Sequence, residues 1–149
     1  MLLALDIHAL NDRLRSINNL RGRAYKLEAA WLVHQEGQMD FRYSTSRQLA
    51  VYGTLAPGQP NHDQLAGIAG EWRPCELHGR IGTRAARVFT WDPRAAAVPA
   101  MLFTSDDLPD HWWRLDEFEG PDYRRLLVPV FVDGTFLTVA NVYEAAVPV

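Results

Sequence analysis

The hydrophobic positions near the N-terminus follow a helical period. They recur at alternating spacings of four and three residues, at Leu3, Ile7, Leu10, Leu14 and Ile17. This spacing puts them on one stripe of an amphipathic helix. A break over residues 18–23 precedes a second predicted helix over residues 24–35, which we expect to end through Gly37. The pattern predicts a helical extension over residues 1–38, although Met39 could instead be the natural start, with the preceding residues an upstream extension of the reading frame.

From Gln48 onward the period changes toward two, which is typical of β-strands. The segments with this pattern are QLAVYGT, CELHGRIG, ARVFTW, VPAMLFT, YRRLLVPVFV and TFLTVANVYEA. Asp133 and Gly134 join the last two, and Asp-Gly between alternating segments is a strong hairpin signal. One predicted helix, from Asp106 to Glu119, interrupts the strands. The predicted fold class for residues 39–149 is therefore α+β: a small mixed, mainly antiparallel β-barrel-like sheet with one crossing helix.

Composition and charge exclude several classes of function. A chain of 149 residues that is 48% hydrophobic fits one domain with a core, and a net charge of −3 offers no basic surface to nucleic acid. Cys75 is a single cysteine, and the five histidines lack zinc-ligand spacing, so we expect no metal or other cofactor. The chain has neither a signal-peptide core nor a run of about 18 apolar residues. We expect a cytoplasmic protein without a membrane partner.

The helix over residues 106–119 places a carboxylate on its apolar face. Counting about 100° per residue from Trp112, both Leu108 and Leu115 fall within about 60° of it, and so does Glu119. Glu117 falls on the opposite, solvated face. Burying an unpaired carboxylate costs several kcal/mol, so Glu119 must be paired, neutralised or used.

Two interpretations of Glu119 remain open from the residues themselves. It could turn toward solvent at the helix end or pair with Arg124 or Arg125. Alternatively, Trp112, Phe118 and Tyr123 could enclose it in apolar surroundings that raise its pKa, which would suit a general acid and base near neutral pH. The sequence has no GxSxG elbow, Walker loop or dinucleotide fingerprint to suggest another mechanism.

Two separated stretches resemble one known family. VYGTLAPGQPNH at residues 51–62 and LDEFEGPDYRR at residues 115–125 resemble the γ-glutamylcyclotransferase-like family, in particular its γ-glutamylamine cyclotransferase-like branch. The resemblance covers roughly residues 49–143 and implies a small barrel-like α+β fold that works without a cofactor. It implies Glu119 as the acid/base residue. It also implies that a loop formed by Tyr52, Gly53, Thr54 and Leu55 holds the γ-glutamyl head of the substrate. Tyr123 and Tyr143 are implied to line the same pocket.

The resemblance implies an enzyme that cleaves a γ-glutamyl amide by attack of the substrate's own α-amine, releasing 5-oxoproline and a free amine or amino acid. One glutamate can take a proton from the α-amine and return it to the leaving nitrogen, and backbone N–H groups at a glycine-containing strand end suit the developing oxyanion. The family commonly has a glycine and an acidic residue where this chain has Ala100 and Met101. This departure motivates an alternative, a non-catalytic binding module for a γ-glutamyl-type small molecule. A third hypothesis is self-association through residues 1–38.

Overall fold

A computed structural model of the chain describes residues 5–21, 26–52, 58–59, 62–83 and 87–146. The helices in this part are α1 (Ile7–Leu20), α2 (Lys26–Tyr43), α3 (Asp63–Ala66) and α4 (Trp112–Glu119), with 3₁₀ turns at Thr45–Arg47 and Leu108–Asp110. The strands are β1 (Gln48–Val51), β2 (Glu71–Thr83), β3 (Arg87–Trp91), β4 (Ala97–Thr104), β5 (Tyr123–Val132) and β6 (Thr135–Ala145).

Five of the strands form a closed barrel. Their order is β2-β4-β1-β6-β5, and the pairing of Glu76 on β2 with Phe131 on β5 closes the ring. All neighbours are antiparallel except β1 and β6, which are parallel. The remaining strand, β3, pairs with the second half of β2 as an extra strand. The predicted α+β class and the mixed, mainly antiparallel barrel are confirmed.

The period-two pattern of the strands sorts their side chains into two layers. Along β6, Ala140 and Val142 point into the barrel, whereas Val139 and Tyr143 pack on its outer side. The interior is filled by small and aliphatic side chains together with one aromatic ring, from Ala50, Cys75, Leu77, Phe89, Ala100, Leu102, Leu126, Val128, Val130, Ala140 and Val142. Because side chains fill the interior, a functional site is expected on the outer layer or at an end of the barrel.

The β5–β6 hairpin has the predicted bounds and turn. Asp133 has φ 51° and Gly134 has φ 79°, and two successive positive φ values are what a type I′ turn requires. This turn matches the right-handed twist of the paired strands, so it fixes their register.

The predicted end of the second helix was wrong. Helix α2 continues through Gly37 to Tyr43. Glycine inside a helix costs about 1 kcal/mol relative to alanine. The continued helix buries Met39, which is 2% exposed, and packs Tyr43 beside it against the barrel. Tertiary packing thus overrides the local signal.

Helix α1 is anchored to the barrel by a core and by a side-chain amide. Leu14 and Ile17 are fully buried in a cluster with Leu127 of β5 and Val139 of β6. Next to them, Asn18 Nδ2 donates to the carbonyl oxygen of Leu127 at 2.8 Å, and Asn18 Oδ1 accepts from the N–H of Leu127 at 2.8 Å. The amide therefore occupies both hydrogen-bonding groups of a β5 residue, as a neighbouring strand would.

In the described residues, no helix has both the length and the hydropathy needed to cross a membrane.

Candidate functional site

The strand topology brings several residues named by the sequence to one end of the barrel. Because β1 and β6 are parallel, Tyr52, which follows β1, and Tyr143, near the end of β6, lie at the same end. Strand β5 runs antiparallel to β6, so its first residue, Tyr123, lies there too, paired with Ala145. Helix α4 leads directly into β5 and ends at Glu119.

The predicted helix over residues 106–119 starts later than expected: α4 begins at Trp112, and Leu108 lies in the preceding 3₁₀ turn Leu108–Asp110. Within α4, Leu115 is fully buried and Trp112 is 8% exposed, whereas Glu119 at the end of the same stripe is half-buried. Phe118 is 41% exposed, so the expectation that its ring encloses the carboxylate was wrong. Phe118 lies about 120° from Trp112 around the helix, which turns it away from the barrel.

The chain leaves α4 through a conformation that favours glycine. Gly120 has φ 74° and ψ −170°, a region that residues with a Cβ rarely enter. Its N–H donates to the carbonyl oxygen of Asp116 at 3.1 Å and completes the last helical turn. The helix therefore stops directly after Glu119, and the chain turns at once toward β5.

Burial raises the pKa of Glu119 from 4.5 to about 7. Its apolar surroundings disfavour the charged carboxylate. The ion pairs considered from the sequence are made with other acids: Arg124 Nε contacts Glu144 Oε2 at 3.1 Å, and Arg125 contacts Asp116. Glu119 can therefore change its protonation state near neutral pH, as a general acid and base requires.

The hydroxyl of Tyr52 joins two strands at the barrel end. It donates to the carbonyl oxygen of Tyr143 at 2.7 Å and accepts from the N–H of Phe89 at 3.2 Å. Burial raises the pKa of Tyr52, the hydrogen bond from the N–H of Phe89 opposes this shift, and the carboxylates of Glu119 and Glu144 add to it. These two hydrogen bonds fix the position of Tyr52, the residue immediately before Gly53, Thr54 and Leu55. Those three predicted site residues lie outside the described part of the chain.

The hydroxyl of Tyr143 contacts helix α4. It donates to Asp116 Oδ1 at 2.7 Å, and burial, this hydrogen bond and the nearby charges of Asp116 and Glu119 raise the pKa of Tyr143. Arg125 holds the same carboxylate with Nε to Oδ1 at 2.9 Å and Nη2 to Oδ2 at 3.2 Å. Its guanidinium also lies 4.4 Å from the centre of the Trp112 ring.

Asp116 and Arg125 were not among the predicted site residues. The weak signal for Asp116 was its position at the edge of the apolar stripe of α4. Arg125 was considered only as a partner of Glu119.

Glu144 is a second buried carboxylate that the sequence reasoning missed. It is 7% exposed, and its Oε1 accepts from the N–H of Trp91 at 2.8 Å while its Oε2 faces Arg124. A signal was present, because Ala140, Val142 and Glu144 alternate along β6 and thus share its inward face. A charged residue on the apolar face of a strand marks a candidate functional group, just as Glu119 does on the apolar face of a helix.

Neither a metal cluster nor a reactive thiol is indicated in the described residues. No group of three or more His, Cys, Asp or Glu side chains in this part of the chain is placed to hold a metal ion. Cys75 lies inside the barrel, where burial raises its pKa to about 12 and keeps it a thiol.

Comparison with known proteins identifies the family. The sequence model described as "Gamma-glutamyl cyclotransferase, AIG2-like" matches residues 49–148. The chain therefore belongs to the AIG2-like γ-glutamyl cyclotransferase family, which confirms the resemblance seen in its two motifs. A comparison with curated proteins gave no match.

Solved structures with a similar fold come from distant organisms. YkqA from Bacillus subtilis is 23% identical with a TM-score of 0.55; the likeness covers 68% of this chain and 36% of that one. The uncharacterized protein PH0828 from Pyrococcus horikoshii is 21% identical with a TM-score of 0.49, covering 68% and 80% of the two chains. An AIG2-like protein from Mus musculus is 23% identical with a TM-score of 0.49, covering 67% and 77%. At these identities the likeness to YkqA concerns the fold.

Proposed function

We propose that the protein cleaves a γ-glutamyl amide by intramolecular cyclisation and releases 5-oxoproline together with a free amine or amino acid. The observation that carries the proposal is the half-buried Glu119, whose carboxyl has a pKa of about 7, at a barrel end shared with Tyr52 and Tyr143. Membership of the AIG2-like γ-glutamyl cyclotransferase family supports the reaction class.

In the proposed reaction Glu119 moves one proton twice. As a carboxylate it takes a proton from the substrate's α-amine while the amine nitrogen bonds to the γ-carbonyl carbon. The protonated Glu119 then gives this proton to the leaving nitrogen as the original amide C–N bond breaks and the carbonyl re-forms. A carboxyl pKa near the working pH suits both steps. Because nucleophile and electrophile belong to one molecule, the remaining requirement is to hold the substrate in a folded conformation.

We assign the proposed binding roles to two groups of residues, the backbone of residues 53–55 and the side chains of Tyr123 and Tyr143. The backbone N–H groups of Gly53, Thr54 and Leu55 are assigned to the substrate's γ-glutamyl head and to the developing oxyanion. The side chains of Tyr123 and Tyr143 are assigned to the wall of the site, because both lie at the barrel end to which helix α4 leads. Tyr52 has its hydroxyl engaged by Phe89 and by the carbonyl of Tyr143, so we assign it the task of fixing the start of the loop.

The proposal is tested by incubating the purified protein with a panel of γ-glutamyl amino acids and γ-glutamyl amines and measuring 5-oxoproline. Formation of 5-oxoproline in equal amounts with the leaving amine is the expected result. Saturable binding of a panel compound without product over long incubation would instead support the binding module. Neither turnover nor binding across the panel would overturn both candidates.

A further inference from the structure

Arg21 joins the N-terminal helices to the outer side of the barrel. It follows the last residue of α1, and its side chain is 17% exposed. Arg21 Nε contacts Glu36 Oε1 of α2 at 2.8 Å. Arg21 Nη1 donates to Asn141 Oδ1 of β6 at 2.8 Å and to the carbonyl oxygen of Arg125 on β5 at 3.2 Å. Because the donors of a guanidinium have fixed directions, this one side chain holds α2 and two barrel strands in a fixed relation.

Asn141 connects Arg21 to a second arginine. Asn141 is 2% exposed, and its Nδ2 donates to the carbonyl oxygen of Thr45 at 2.8 Å, so Oδ1 is the atom turned toward the arginines. Asn141 Oδ1 also accepts from Arg125 Nη1 at 3.2 Å. Arg21 and Arg125 thus share one amide oxygen, and a displacement of either guanidinium changes the hydrogen bond of the other.

Arg125 extends the connection to helix α4. Its Nε and Nη2 donate to the two oxygens of Asp116, and its guanidinium lies 4.4 Å from the centre of the Trp112 ring. Trp112 and Asp116 lie on successive turns of α4, and Asp116 precedes Glu119 by three residues. A continuous series of hydrogen bonds therefore leads from the N-terminal helices to the helix that carries Glu119.

We propose that Arg21 is a positioning residue for Glu119, because it fixes Arg125 through Asn141 and thereby sets the orientation of α4. This inference rests on the proposed function. It gives the N-terminal helices a role at the site, although they precede the family match at 49–148. Such a role has a measurable effect, since a misplacement of about 1 Å at the reacting groups can cost about 10²-fold in rate.

The test measures kcat and KM of the full-length variant Arg21→Gln with a γ-glutamyl compound that the natural protein cyclises. The variant leaves Glu36, which is 37% exposed and can be solvated. We expect kcat to fall by about tenfold, within the range that misplacement causes, while KM stays close to its natural value. Arg21→Lys keeps the charge but lacks the planar set of donors, so its kcat should lie between the two. A residue that only stabilises the fold would not change kcat of the folded protein.

Arg13→Gln is the matched control. Arg13 lies in the same helix as the chain that leads to Arg21, and its side chain donates to Gln35 and Gln38 of α2. The control therefore loosens the contact between α1 and α2 but leaves the series from Arg21 to Asp116 intact. It should keep the natural kcat.

The double variant Arg21→Gln/Asp116→Asn tests the route of the effect. Its kcat should fall no further than that of the slower single variant, because both substitutions interrupt one series of contacts. Independent effects would instead multiply, and that result would overturn the inference.

The outcomes separate this inference from the proposed function. Natural kcat in Arg21→Gln overturns the inference and leaves the proposed function standing. If Arg21→Gln does not fold, Arg21→Lys decides, and natural kcat in that variant overturns the inference. An equal fall of kcat in Arg13→Gln also overturns it, because the effect would then be general to the N-terminal helices. If the natural protein forms no 5-oxoproline from any panel compound, the proposed function is overturned and the inference with it.

Discussion

A hydrogen bond of 2.7 Å from the hydroxyl of Tyr143 to Asp116 Oδ1 connects the end of β6 to the helix that carries Glu119. Arg125 on β5 donates to both oxygens of the same carboxylate. Helix α4 is thus tied to two neighbouring strands three residues before Glu119, close to one turn of the helix. Asp116 is in this sense a positioning residue, because it acts on the proposed acid/base group through the orientation of α4.

Replacing Asp116 with Asn should weaken this connection without changing its shape. We expect stability to fall by about 1 to 2 kcal/mol, because hydrogen bonds to a charged acceptor are replaced by weaker neutral ones at a partly exposed site. Urea unfolding measures the loss. Tyr143→Phe, which removes one of the hydrogen bonds, should lose less. If Asp116 positions Glu119, the variant also changes kcat for a panel substrate more than KM, and a natural kcat would contradict that role.

Replacing Glu119 with Gln should abolish proton transfer while keeping the side-chain shape. We expect turnover to fall by about 10²-fold or more, the usual contribution of general acid–base catalysis. Glu117→Gln is the matched control, because Glu117 lies on the exposed face of the same helix and should keep natural turnover. In the natural protein, kcat/KM should decrease as the pH falls below about 7, where Glu119 becomes protonated. Full turnover in Glu119→Gln would make the proposed mechanism wrong.

The raised pKa of Glu119 also predicts how stability depends on pH. The carboxyl titrates near 4.5 when unfolded and near 7 when folded, so between these values the folded chain binds more protons than the unfolded chain. Stability from this group is therefore fully present below about pH 4.5 and is lost as the pH rises through 7.

The Glu119→Gln variant has no carboxyl to titrate at this position, so it does not lose stability from this group as the pH rises. Relative to the natural protein, it should gain about 1 to 2 kcal/mol between acidic and mildly alkaline pH, after allowance for the partial exposure of the group. Urea unfolding at a series of pH values measures the difference between the two proteins. Parallel stability curves across this range would show that the carboxyl is not perturbed.

The parts of the fold that were predictable depend on neighbours in sequence. The β5–β6 hairpin is specified by alternating side chains and by the two residues at its turn, so its bounds were found. The position of Glu119 follows from counting angles along one helix. The same local logic failed at Gly37, because the packing of Met39 and Tyr43 on the barrel outweighs the cost of one glycine.

The rest of the candidate site depends on contacts that no local pattern encodes. Asp116 meets Tyr143 from 27 positions away, and Asn18 meets Leu127 from 109 positions away. Such pairs are set by the closure of the barrel, where a parallel β1–β6 contact and an antiparallel β5–β6 contact bring distant segments to one end. Glu144 is intermediate, because its inward direction was readable from the strand period but its partners were not.

Gly120→Ala should disturb the turn that separates Glu119 from β5. A side chain at φ 74° and ψ −170° is strained by about 1 to 3 kcal/mol, so stability should fall and the relief of strain should move Glu119. The matched control is Gly134→Ala, which introduces a Cβ at φ 79° in the β5–β6 turn. Both variants should lose stability in urea unfolding, and Gly120→Ala should lose more turnover per kcal/mol. Equal turnover in the two variants would show that Gly120 does not help to position Glu119.

Asn18→Ala should show how strongly helix α1 is joined to the barrel. Asn18 is 3% exposed, and its amide satisfies both the N–H and the carbonyl of Leu127, which is fully buried. Removing the amide leaves two buried backbone groups without partners, which should cost about 2 to 4 kcal/mol. The measurements are urea unfolding and the hydrogen-exchange rate of the Leu127 amide, which should increase.

Asn19→Ala is the matched control for Asn18→Ala. It makes the same change of residue type one position later in α1, where the side chain is exposed, so helix propensity changes equally while the contact with β5 is kept. Its stability should therefore stay at or slightly above that of the natural protein. Equal stabilities of the two variants, with unchanged exchange at Leu127, would mean that the Asn18 amide contributes nothing to the attachment of α1 to the barrel.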